Sequence, residues 1–104
     1  MRVLIKEPGK PWETAEVENT LEALQGAVGG YIETIPIVAM DSVEEAVMVM
    51  DEEGRLKGKE RNITICGHDI VGTVIICGQD RSEFCDAPEW LVRGLTYHEK
   101  ESAR

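Results

Sequence analysis

The stretch Ile70-Val71-Gly72-Thr73-Val74-Ile75-Ile76-Cys77 decides the fold. Side chains alternate across a strand, so Val71, Thr73, Ile75 and Cys77 fall on one face and Ile70, Val74 and Ile76 on the other. Neither face is polar, and a β-branched run of this kind belongs at the centre of a sheet. Just upstream, Asn62 to Cys66 is a second apolar run. The turn Gly67-His68-Asp69 joins the two, which predicts strands over 62–66 and 70–77.

Working back toward the N-terminus, Arg55 to Arg61 is a polar connection carrying Arg55, Lys57, Lys59 and Arg61, the basic cluster of the chain. It reads as a solvated loop. Before it, Val47-Met48-Val49-Met50 ends in the turn signal Asp51-Glu52-Glu53-Gly54. Ser42-Val43-Glu44-Glu45 has the look of a capping box, but the apolar run is short and occupies both faces, so a strand is expected. Tyr31 to Val38 alternates as another strand, with Tyr31, Ile35 and Ile37 on one face and Ile32 and Val38 on the other. Pro36 removes a ladder donor and puts this strand at an edge or a bulge. A helix over 20–28 precedes it, with Asn19 as N-cap and Glu22 reaching back. Leu21, Leu24, Ala27 and Val28 share one face of that helix, and Gly29-Gly30 supplies a left-handed exit. Residues 1–6 form a first strand, residues 7–11 a turn, and residues 12–17 a short returning strand.

On the C-terminal side, Asp86-Ala87-Pro88-Glu89 opens a second helix docked by Trp90, Leu91 and Leu95. Residues 98–104 are polar and are expected to fray. The pattern is an α+β domain: a mostly antiparallel sheet of about five or six strands, one helix packed on a face and a second helix near the C-terminus. At 104 residues the chain has the length of one domain.

The chain carries 20 acidic and 11 basic residues, a net charge of -9 and a pI near 4.6. Such a field repels phosphate and attracts basic protein surfaces. Trp12, Tyr31, Phe84, Trp90 and Tyr97 are too few to make a stacking platform, so direct nucleic-acid binding is not expected. Nothing approaches the roughly 20 apolar residues of a membrane span, and Met1 to Lys6 is far shorter than a signal peptide's apolar core. Three cysteines and no export signal fit reduced thiols, so the expected compartment is the cytoplasm.

Four readings of the polar residues compete. Cys66, His68, Cys77 and Cys85 are soft ligands, but strand positions rather than close cysteine pairs are the wrong spacing for zinc. His68 or His98 beside Cys77 or Cys85 would make a thiol enzyme, and nothing in the spacing selects a pair. Gly30 with Arg55, Lys57, Lys59 and Arg61 could bind a small molecule or nucleotide. Glu44, Glu45, Asp51, Glu52 and Glu53 lie within ten positions of one another and could present carboxylates to an arginine-rich partner. No metal, cofactor or catalytic residue is expected.

Asn19-Thr20-Leu21-Glu22-Ala23-Leu24-Gln25 and Val28-Gly29-Gly30-Tyr31-Ile32-Glu33 carry a resemblance, supported by Asp51 to Leu56, Asn62 and Gly72 to Gly78. Together they resemble a small family of domains of unknown function carried by phages and mobile elements of Gram-positive bacteria. That resemblance supplies no site residues. It implies an accessory protein that binds and inhibits a basic host protein, such as a defence nuclease of the CRISPR type, without being an enzyme.

Overall fold

The computed structural model describes residues 1–37, 45–65 and 67–102, with side chains described as far as residue 96. In chain order its elements are β1 (Arg2–Lys6), β2 (Glu13–Glu16), α1 (Leu21–Val28), β3 (Ile32–Ile37), β4 (Glu45–Asp51), β5 (Arg61–Ile65), β6 (His68–Val71), β7 (Val74–Asp80), β8 (Glu83–Cys85) and α2 (Glu89–Ser102). The α+β class holds, with an antiparallel sheet ordered β2-β1-β7-β4-β3.

β7 sits at the middle of that order, and Val74, Ile75, Ile76 and Cys77 are buried completely. Alternation sends Leu4, Met48, Val74 and Ile76 to one face, where Trp12, Ile70 and Val92 cover them. Val3, Val49, Ile75 and Cys77 go to the other, under Leu24 and Val28 of α1. Each full burial of a side chain of this size stabilises by about 1.5–3 kcal/mol relative to exposure. The sheet is therefore the middle layer, with α1 on one side and α2 plus the β5–β6 hairpin on the other.

The run 70–77 does not form one strand. Gly72 adopts φ +72°, which L side chains rarely reach, and a Cβ there would meet Cδ of Lys59 at 2.8 Å. Ile70 and Val71 consequently belong to β6, which among the described residues pairs with β5 alone in a separate two-stranded sheet. Asn62 fastens this hairpin to the main sheet. Its Nδ2 donates to the carbonyls of Lys6 and Gly72, each at 2.8 Å, and its Oδ1 accepts from Lys6 Nζ at 2.7 Å.

The cap of α1 also differs from the sequence reading. Thr20 is the N-cap, its hydroxyl accepting from Ala23 N at 3.1 Å, while Asn19 Nδ2 donates to the Phe84 carbonyl at 2.8 Å. Leu21, the first residue of the helix, is 57% exposed, contrary to the expected apolar face, and Leu24 and Val28 are the buried pair. Gly29 closes the helix at φ +81°, as expected. β3 is an edge strand, in keeping with Pro36, and β4 confirms the strand at 47–50. Trp90 faces outward on α2, whose docking residues are Val92 with Leu91 and Leu95. α2 continues to Ser102, into the segment expected to fray. Val38 lies outside the described residues.

Candidate functional site

β4 divides the acidic stretch of the sequence. Glu45 opens the strand and Asp51 closes it, six residues later, so their Cα atoms are about 20 Å apart at about 3.3 Å per residue. Glu44 lies outside the described residues. Asp51 is not a surface carboxylate. Its side chain is 1% exposed and meets Lys57 Nζ at 2.9 Å and Lys59 Nζ at 2.7 Å. Glu53 N adds a backbone bond at 2.9 Å. The hydrogen bonds from Lys59 and then Lys57 hold its carboxyl well below the usual carboxylate range.

The same two lysines finish α1. Lys57 Nζ donates to the Gly29 carbonyl at 3.1 Å and Lys59 Nζ to the Val28 carbonyl at 2.7 Å. Helix C-termini carry unsatisfied carbonyls and partial negative charge, so two ammonium groups serve one carboxylate and one helix end together. Gly30 is drawn into this packing, since a Cβ there would meet Lys57 Nζ at 2.6 Å. The expected solvated loop is thus an internal clamp at Lys57 and Lys59. The other two basic residues turn to the hairpin: Arg55 donates to the Asp69 carbonyl at 2.9 Å, and Arg61 to Thr64 Oγ1 at 3.0 Å. A hydrogen bond from the Thr64 hydroxyl, helped by Arg61 and Arg55, keeps the Asp69 carboxyl below its ordinary value.

At the Glu45 end, an open groove of about 820 Å³ runs between the β7–β8 hairpin and the start of α2. Four carboxylates line it: Glu45, Asp80, Asp86 and Glu89. β4 occupies one edge of β7, so β8 must lie on the other, continuing where β1 stops. Gly78 permits the approach, because a Cβ there would meet Cys85 Sγ at 2.8 Å and the Asp86 carbonyl closer still. Asp86 Oδ1 accepts from Arg2 N at 2.8 Å, and Ala87 N donates to the Arg2 carbonyl at 2.9 Å. Asp86 is therefore tied to β1 rather than capping α2, and Glu89 reaches Arg2 and Arg93 rather than closing a capping box.

The tip of this hairpin is strained. Asp80 pairs with Glu83, leaving a two-residue turn in which Arg81 has φ +50° and Ser82 φ +72°. Two-residue hairpins prefer asparagine and glycine at such positions, and Arg81-Ser82 is neither. The polar run Gln79 to Glu83 therefore carries no usual turn signal, and the sequence does not announce the hairpin or Asp80, Asp86 and Glu89 as groove residues.

A second, smaller cavity of about 410 Å³ lies at the Asp51 end, between β3 and the β5–β6 hairpin. Ile35, Met50 and Ile70 line it together with Glu33, Glu52 and Leu56.

Residues 1–100 match the family model described as a domain of unknown function, DUF3846. The chain belongs to that family. No curated protein and no solved structure matches it.

In this DUF3846 domain the described soft ligands do not converge on one site, although Cys77 and Cys85 are neighbours across β7 and β8. Cys77 is buried under α1, His68 is exposed on β6, Cys85 lies on β8 in the groove, and Cys66 is outside the described residues. Burial, aided by the neighbouring Cys85, pushes the Cys77 thiol up to about 12, so it stays protonated at neutral pH. Among the described residues no three His, Cys, Asp or Glu side chains are placed to hold a metal ion. Among the same residues no helix is long and apolar enough to cross a membrane.

Proposed function

We propose that this DUF3846 domain is a non-catalytic docking protein of a phage or mobile element. It acts in the cytoplasm by binding and inhibiting a basic host protein. The observation that carries this reading is the acidic groove on a chain of net charge -9. Asp86 and Glu89 are engaged by Arg2 and Arg93 and Arg81 also lines it, but among the described residues Glu45 and Asp80 have no cation partner. Carboxylates set around a concave surface offer bidentate acceptors to arginine and single acceptors to lysine. The partner class that fits is a nuclease whose nucleic-acid channel is positively charged, a CRISPR effector among them. The nucleotide-binding reading is weaker, because Lys57 and Lys59 already serve Asp51 and α1.

The test is cleavage by candidate nucleases titrated with the protein over a salt series. Inhibition that saturates at a fixed ratio and relaxes as salt rises supports the proposal. Unchanged cleavage at every ratio at low salt removes it for those enzymes.

A further inference from the structure

The outer edge of β3 has a definite hydrogen-bonding phase. Ile32 stands opposite Asp51, so Tyr31 stands opposite Glu52, and Glu52 N donates to the Tyr31 carbonyl at 2.8 Å. Bonded pairs alternate along an antiparallel ladder, so Tyr31, Glu33, Ile35 and Ile37 turn their backbone groups to β4. Ile32 and Thr34 turn theirs outward. Pro36 shares that outward phase, so its missing donor costs the sheet nothing. Among the described residues no strand pairs with β3 on this side.

Beside this edge lies the smaller cavity, with an apolar floor at Ile35, Met50 and Ile70. Leu56, 87% exposed, stands at its rim, and Tyr31, 66% exposed, adjoins the same end of β3. Glu33 and Glu52 also line it, both exposed, and among the described residues neither pairs with a cation. An exposed edge, an exposed large aliphatic and two carboxylates around a polar-walled cavity with an apolar floor form one surface, in which Arg55 also stands but is engaged by the Asp69 carbonyl.

We propose that the edge of β3 accepts an extended segment of another protein as an added strand, in which an apolar residue alternates with a basic one. The outward groups of Ile32 and Thr34 bond its backbone. Its apolar side chain lies beside Ile35 over the cavity, and its lysine or arginine, two positions away on the same face, lies beside Glu33. Charge selects the occupant. A second copy would bring Glu33 of each chain together on partners of net charge -9, whereas a basic strand is drawn in. This surface is separate from the groove at β8, which lies at the opposite end of β4.

The probe is a blocked heptapeptide with lysine, valine and lysine at its second, fourth and sixth positions and threonine elsewhere. Its control carries glutamate in place of lysine. The lysine peptide should bind saturably and slow amide exchange at Ile32 and Thr34, with the glutamate peptide at least tenfold weaker. Thr34→Pro removes an outward donor without touching the ladder and should weaken binding at least tenfold, and Glu33→Lys should reverse the preference between the peptides. Glu45→Lys with Asp80→Lys should leave the peptide's dissociation rate and the protection at Ile32 and Thr34 intact, changing only the salt-sensitive association rate, which separates this surface from the groove. Equal binding of both peptides, or protection that maps away from Ile32 and Thr34, overturns the proposal. So does protection of these amides in the free protein that grows with its own concentration, since a second copy would then hold the edge.

Discussion

Asp51 shows how one residue can be misread when its neighbours in sequence are not its neighbours in space. Its carboxylate is buried because Lys57 and Lys59, both on the following connection, bring the charge and donors that burial requires. Asp51→Asn keeps the size and leaves two ammonium groups facing each other, so the urea midpoint at pH 7 should fall clearly below wild type. The sign of the pH dependence follows from the lowered folded-state pKa. The stabilisation is fully present above the ordinary aspartate value of 3.8 and is lost as pH falls below it. The gap between wild type and variant should stay constant from pH 8 to about pH 5 and close under acid; a gap that widens under acid contradicts the clamp. Thr20 is a second case. Thr20→Ala should cost about 1 kcal/mol in urea unfolding by removing the hydroxyl that accepts from Ala23 N. The sequence favoured Asn19 because Asn is the stronger N-cap residue and Glu22 stands three positions on, and only the tertiary bond from Asn19 to the Phe84 carbonyl leaves the cap to Thr20.

At the scale of elements, strands that are apolar on both faces were legible and breaks in them were not. β7 and β4 declare themselves through Val74 to Cys77 and Val47 to Met50, which no surface position would tolerate. The division between β6 and β7 rests on one φ angle at Gly72 and on Lys59 lying where a side chain would go, neither of which an alternating pattern registers. Gly72→Ala should therefore destabilise by about 1–2 kcal/mol from the left-handed backbone alone, measured by urea titration. The β7–β8 hairpin gives the opposite expectation. Replacing Arg81 by Asn and Ser82 by Gly puts residues that accept positive φ into the turn, and the double variant should gain about 1–3 kcal/mol. No gain would mean that contacts of Arg81 or Ser82 offset the strain. A gain in stability with a loss of partner binding would place the strained turn in the docking surface.

For the whole molecule, the sequence reported how much charge there is and could not report where it stands. Of the five carboxylates grouped between positions 44 and 53, Asp51 is spent inside the fold, and Glu45 is separated from Glu52 by the length of β4. The groove is instead assembled from residues up to 44 positions apart, Glu45 to Glu89, which only the sheet order brings together. Net charge and local placement make different predictions for binding a basic partner, and two double variants separate them. Glu45→Lys with Asp80→Lys, and Glu13→Lys with Glu18→Lys, each move the net charge from -9 to -5, but only the first pair lines the groove. Long-range attraction depends on the total, so association should slow by a similar, salt-sensitive factor in both. Close contacts are lost only in the first, so its dissociation should quicken, with Kd rising by about tenfold or more at 150 mM salt. Surface plasmon resonance on an inhibited nuclease would resolve the two rates. Equal dissociation rates would mean that the acidic field attracts the partner while some other face holds it.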